Sequence, residues 1–275
     1  MYNILFSFEN GQFISNVFPG FVLDINPING YNVNWDTYTL PNGIGSNAAT
    51  HSVSGIDRTV TGALYFNDPN TLAKEMNNIF SLFSEKSKGK VVISALIPSP
   101  DGTMQSSLVK SDFIVKKTPE FIKHSNNKII FMAQIFCLSP HWEKDTENAE
   151  EVYIGATVNY GGHSDAYISE IIITALQDGL APGIRNNTTE EYISFSNDVK
   201  LSASGYVQIL LVSDGNLKAT LNDGTTSVDI TDKMTNFSQP IRLVPGQNSF
   251  MLFEGVKATI RYNEKYSGVC LNYGN

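Results

Sequence analysis

Catalysis needs polar side chains brought together, and this sequence scatters them. The four histidines are His51, His124, His141 and His163. None has a second histidine four residues away, the spacing that puts two imidazoles on one helical face for a metal. Asp165 and Glu170 come nearest to a pair of working carboxylates, but acidic residues on a β surface are ordinarily solvated. No Gly-x-Ser-x-Gly elbow and no phosphate-cradling glycine loop occurs. Gly161-Gly162 opens no helical pattern and reads as a turn. Cys137 and Cys270 lack metal or redox spacing and read as buried thiols, with a disulfide between them left open. Trp35 and Trp142 could stack on sugar rings or simply pack. No catalytic, cofactor-binding or metal-binding residue is therefore expected, and no cofactor.

A chain of 275 residues has room for two ordinary domains. Its 41% apolar and 17% charged residues mark a folded protein rather than a disordered one. The formal net charge of -8 argues against a general nucleic-acid binder, which needs a basic stripe. No run reaches membrane-spanning length. The first residues lack the basic start and long apolar core of a signal peptide, so a soluble, cytoplasmically made protein is expected.

The elements organise around Ile129 to Trp142. By strand parity, one face carries Ile129, Phe131, Ala133, Ile135 and Cys137, and the other Ile130, Met132, Gln134, Phe136 and Leu138. Both faces are mainly apolar, which predicts burial on both sides and a second surface supplied by another subunit. Ile130, Met132 and Phe136 are the candidate oligomer-interface residues. Ser139-Pro140 ends this strand. The acidic run that follows, 143–151, reads as a linker between domains spanning 1–142 and 152–275.

The first domain opens with a hairpin about Asn10-Gly11. Residues Pro19 to Gly55 resist assignment. Ile56 to Phe66 alternates, with Ile56, Val60, Leu64 and Phe66 on one face. Asp68 and Pro69 then start a helix expected near 69–87, its core stripe Leu72, Met76, Ile79, Phe80 and Phe83. Strands follow at Val91–Ile97, Ser107–Lys117 and Phe121–Lys123. The second domain shows strand after strand between Gly, Asn and Asp turns, which predicts an antiparallel sandwich. The expected class is mainly β: a β-rich domain with one helix, then a galectin-like or jelly-roll β-sandwich.

Four pieces resemble the distal tail protein (Dit) family of long-tailed phages and prophages. They are DRTVTGALYF feeding NDPNTLAKEMNNIFSLF; the joint FCLSPHWE; VNYGGHSDAYISEIII; and LVPGQNSFMLFEGVKATIRYNEKYSGV. The stretch Pro19 to Gly55 carries no matching motif. The resemblance implies a ring, commonly a hexamer, at the end of the tail tube. The first domain would line a central channel, and the second would project outward, where receptor-binding proteins attach. One ring face would meet the major tail tube protein, and the other the tail-associated hub protein. The site of action would be the virion tail tip. The family motif carries no catalytic residue to transfer. A carbohydrate-binding sandwich that grips a host cell-wall glycan is the alternative reading. A wall-degrading enzyme is a third, which nothing in the sequence favours.

Overall fold

A computed structural model of the chain describes residues 4–16, 21–25, 33–39, 46–85, 87–99, 102–125 and 127–271. The side chains of Trp35, His51, His124 and Cys270 lie outside the described residues. The chain divides into two compact units. The first takes the residues up to Ile97, Met104–Asp145 and those from Ser267 onward; the second takes Pro98–Thr103 and Thr146–Tyr266.

In the first unit, β1 (Ile4–Phe8) and β2 (Phe13–Ser15) form the opening hairpin. Gly11 turns it at φ 82°, a conformation open to glycine without strain. Then come β3 (Phe21–Ile25), β4 (Val33–Thr39), β5 (Ser46–Val53) and β6 (Ile56–Tyr65). Three of these interrupt or border the stretch that the sequence left unassigned. After helix α1 (Pro69–Leu82) run β7 (Lys88–Pro98), β8 (Met104–Ser125), β9 (Lys128–Cys137) and β10 (Trp142–Lys144). The main sheet has the order β2-β1-β7-β8-β9-β6-β3, with β10 on β8, while among the described residues β4 and β5 pair only with each other. β8 is one continuous strand where two pieces were expected. It passes Thr118-Pro119 by slipping register between Lys117 and Glu120, the kind of irregularity that admits a proline.

Helix α1 starts as expected. The Asp68 carboxylate accepts from the Thr71 hydroxyl (2.6 Å) and the Thr71 backbone N–H (2.9 Å), which together hold its pKa below the usual carboxylate value. The helix is shorter than expected, ending at Leu82 rather than near 87. Phe83 leaves helical geometry, and the chain must then enter β7, where Gly89 lies so close to the Ser7 carbonyl that no Cβ fits. Phe80 is a second correction. It is half exposed, because it stands about 100° of rotation past the buried Ile79. Leu82 is buried instead, beside Phe83, which is buried as expected. Phe83 is the centre of the core, with Phe6 and Phe8 edge-on at 5.5 and 5.3 Å and Phe131 tilted at 6.4 Å.

The second unit is an antiparallel sandwich. Its elements are β11 (Asn148–Val152), β12 (Thr157–Tyr160), β13 (Ala166–Tyr167), β14 (Glu170–Ala175), β15 (Gly183–Asn186) and β16 (Tyr192–Ser194). Then follow β17 (Tyr206–Leu211), β18 (Leu217–Asn222), β19 (Ser227–Asp229), β20 (Arg242–Leu243), β21 (Gly246–Leu252), β22 (Val256–Tyr262) and β23 (Lys265–Tyr266). One sheet runs β11-β22-β14-β17-β18-β19 and the other β12-β21-β15-β16. Ile171, Ile173, Val207 and Ile260 from the first share a core with Val158, Ile193, Phe250 and Leu252 from the second.

The stretch 143–151, expected as a linker, holds the division between the two units, and β10 and β11 occupy most of it. β11 pairs with β22, and its acids meet that strand's polar groups. Glu151 reaches Lys257 at 2.7 Å, and Glu150 accepts from the Tyr262 hydroxyl at 2.7 Å. A charge run reads as solvated when its cross-strand partners lie a hundred residues away. The expected single strand Val152–Tyr160 is also two, because the chain changes sheets at 153–156. The final strand, β24 (Cys270–Leu271), pairs with β7 of the first unit rather than extending the sandwich.

Candidate assembly interface

β9 has two unlike faces, and the structure separates them. Phe131, Ala133, Ile135 and Cys137 are buried on the side that packs with Phe83. Gly62 permits this, since a Cβ there would collide with the Phe131 ring. The other face is open in this chain. Burial on both sides is therefore not met here: Met132 is 42% exposed and Leu138 53%.

Register shows what surrounds this open face. Directly opposed residues of antiparallel strands share a face. Val22 opposes Ala63, Ala63 opposes Ile130, and Ile130 opposes Ile122. A straight apolar row thus crosses β3, β6, β9 and β8, with Val22 53% and Ile122 54% exposed. The next row, Asp24–Thr61–Met132–Glu120, is mixed. Beyond it Lys117 pairs with Glu120, and Lys116 reaches Asp57 at 2.6 Å. A depression of about 190 Å³ lies on the apolar row, lined by Val22, Ala63, Ile130 and Lys128 among others. An apolar centre rimmed by charge is the anatomy of a protein contact.

Ile130, Met132 and Phe136 all point to this face, though not equivalently. The Phe136 ring lies over Gly55, where a Cβ would come within 2.6 Å of it, so Phe136 is mostly covered by its own chain. Ile122 and Val22 were missed by sequence reasoning. The signal for Ile122 was the alternation of Phe121-Ile122-Lys123; Val22 stood in the unassigned stretch, where no pattern set its register.

The other candidates go to separate places. Asp165 pairs with Arg242 at 3.1 Å, and Glu170 with Arg261 at 2.9 Å, so the two acids serve different ion pairs. His163 meets the Tyr266 ring edge-on at 5.3 Å. Backbone N–H of His141 donates to Ser139. Trp142 is fully buried with the Arg58 guanidinium 4.9 Å from its ring centroid, and has no face left for a sugar. Cys137 is a free, buried thiol whose pKa burial pushes up. Among the described residues no group of His, Cys, Asp or Glu could hold a metal ion, and no helix is long and apolar enough to cross a membrane.

No protein-family model and no curated protein matches the chain. Solved structures do. A crystal structure of SPP1 Dit, described as a paradigm of the hub adsorption apparatus in phages infecting Gram-positive bacteria, superposes with a TM-score of 0.63. The match covers 96% of this chain and 99% of that one, at 12% identity. The fold is the Dit fold. A chain of the phage P2 baseplate in its activated, Ca-bound conformation also matches, at TM-score 0.42 and 12% identity, over 95% of this chain and 98% of that one. The match to SPP1 Dit spans both units.

Proposed function

We propose that this chain is a structural hub subunit at the distal end of a long-tailed phage tail. The observation that carries the reading is the Dit fold over nearly the whole chain, joined to an open apolar row on the β-rich unit. In this reading that unit builds a hexameric ring, and Ile130, Met132 and Phe136, with Val22 and Ile122, lie at the subunit contact. The ring joins the tail tube protein to the tail-associated hub protein, and the sandwich faces outward toward receptor-binding proteins. The reading assigns the chain no turnover and a place at the virion tail tip.

Magnitudes set the conditions for assembly. Burying a fully exposed aliphatic side chain is worth about 1.5–3 kcal/mol. Val22, Ile122, Ile130 and Met132 are already about half covered or more in the single chain, so together they gain about 3–6 kcal/mol, against an association cost of about 4–15 kcal/mol. The gain reaches only the low end of that cost, so the ring should form with rising concentration rather than at any dilution.

Light scattering across a range of concentrations tests this. A discrete species near six chains is expected, with rings in negative stain. Ile122→Lys should return the protein to monomer with an unchanged circular dichroism spectrum. A ring that survives Ile122→Lys and Ile130→Asp intact would overturn the assigned contact.

A further inference from the structure

We infer that the outer face of the sheet β12-β21-β15-β16 docks a protein partner that presents an apolar side chain beside a carboxylate. The inference deepens the tail-hub reading, on which it rests, by naming the face and the partner chemistry that the outward sandwich takes. It begins from a contrast between the two sheets of the sandwich. Outward faces of a sandwich are ordinarily polar. The six-stranded sheet obeys apart from Val228 on its edge strand: Arg261 is paired with Glu170 and Glu147, and Lys257 with Glu151. The four-stranded sheet does not. Met251 and Phe253 line a groove on it; Tyr153 and Ile154, in the turn before edge strand β12, and Phe237, in the segment bonded along edge strand β16, flank the sheet, and each of the five is more than half exposed. Apolar side chains gathered this way mark an interaction site.

The face is shaped as well as apolar. The Phe253 ring lies beside Gly183, where a Cβ would come within 2.9 Å of it. The missing side chain leaves a groove of about 380 Å³, lined by Gly183, Arg185, Tyr192, Ser194, Met251 and Phe253. Arg185 sits at its middle, opposite Tyr192 on one side and Met251 on the other. The unit's other central arginines each hold two carboxylates: Arg242 has Asp165 and Glu191, and Arg261 has Glu147 and Glu170. Arg185 makes no ion pair among the described residues, so its guanidinium is available to an acid from outside. Arginine among tyrosine and methionine is also the composition of binding hot spots.

Three alternatives fit less well. A partner cannot add a strand at β16, because Thr235 and Gln239 N–H groups already take the Ser194 and Tyr192 carbonyls at 2.9 and 3.1 Å. A two-fold copy of this chain fits Arg185 less well, because the strand residues of this face include no carboxylate, Glu190 and Glu254 lie beyond the strand ends, and a two-fold contact matches the patch to itself. A glycan would find few polar groups, since the Ser194 hydroxyl is engaged by Thr235 at 2.8 Å.

The test uses the full chain labelled with 13C at its methionine methyls, with Met251 as reporter. The probes are N-acetyl-Trp-Glu-amide, its twin N-acetyl-Trp-Lys-amide, and a neutral chito-oligosaccharide. The acidic dipeptide should shift the Met251 signal and bind about tenfold more tightly than the basic twin. Arg185→Gln should level the two. Gly183→Val, which fills the groove and leaves the charge, should abolish both, while the remaining methionine signals stay in place. A Met251 signal that neither dipeptide moves, that both move equally, or that only the oligosaccharide moves would overturn the inference.

Discussion

Arg58 occupies a position where the alternation of β6 calls for an apolar residue. Ile56 and Val60 flank it on the buried face, and Arg58 itself is 2% exposed. Its guanidinium lies over Trp142 and beside the Cys137 thiol. Burial pushes the Arg58 pKa down and that of Cys137 up. Arg58→Ala should cost about 2–5 kcal/mol, chiefly through the cavity left against Trp142. Arg58→Met should recover most of it, since apolar residues of similar volume often replace buried charges without loss. Urea unfolding of both variants decides, and equal losses would show that the charge itself holds the strand. Asp198 supports a pH prediction at the same scale. The Ser196 hydroxyl and the Lys233 ammonium hold its carboxyl down to about 2, from 3.8. A depressed folded pKa gives stability that is complete above 3.8 and is lost as pH falls toward 2. Asp198→Ala should therefore lower the melting temperature at neutral pH and flatten its fall between pH 4 and about 2. An acid limb of unchanged steepness in the variant would count against the pairing.

At the scale of the element, β9 allows one strand to be read twice. Phe131 faces the aromatic core, so Phe131→Ala should cost about 3–5 kcal/mol of monomer stability. Met132, one residue on, faces out; Met132→Ala should change the monomer by about 0.5 kcal/mol or less and weaken assembly instead. Denaturant unfolding at high dilution, set beside light scattering at high concentration, separates the two effects. The same strand shows what was legible beforehand. Alternation set the two faces of β9 and β6, the Asn10-Gly11 pair set the first hairpin, and Asp68-Pro69 set the start of α1, because each signal lies within a few residues. The resemblance to Dit read from four motifs agrees with the fold found. What stayed hidden depends on partners far along the chain. The acids of 147–151 read as a linker until Lys257, Arg261 and Tyr262 are placed beside them. The row from Val22 to Ile122 draws on strands about a hundred residues apart, so no local pattern shows it. Groove-forming Gly183 looks like any turn glycine until Phe253 is set next to it.

At the scale of the whole molecule, charge and apolar contact pull in opposite directions. Each chain carries a formal -8, so subunits that gather into a ring repel one another at long range. The cations around the apolar row offset little of this: Lys116 and Lys117 are already paired with Asp57 and Glu120 of the same chain, which leaves Lys128, over the Tyr65 ring, as a single charge at the row. Salt screens the repulsion, with a screening length of about 10 Å at 0.1 M and about 3 Å at 1 M. It leaves the apolar contact intact, and sulfate strengthens it by exclusion from the surface. Assembly held by the row through Ile130 should therefore tighten as ionic strength rises, and more in sodium sulfate than in sodium chloride of equal ionic strength. Assembly held by ion pairs between subunits would loosen instead. Sedimentation velocity at fixed protein concentration across a salt series measures the direction. A ring that dissociates on going from 0.05 M to about 0.5 M sodium chloride would move the contact from the apolar row to the charged rim around Asp57 and Glu120.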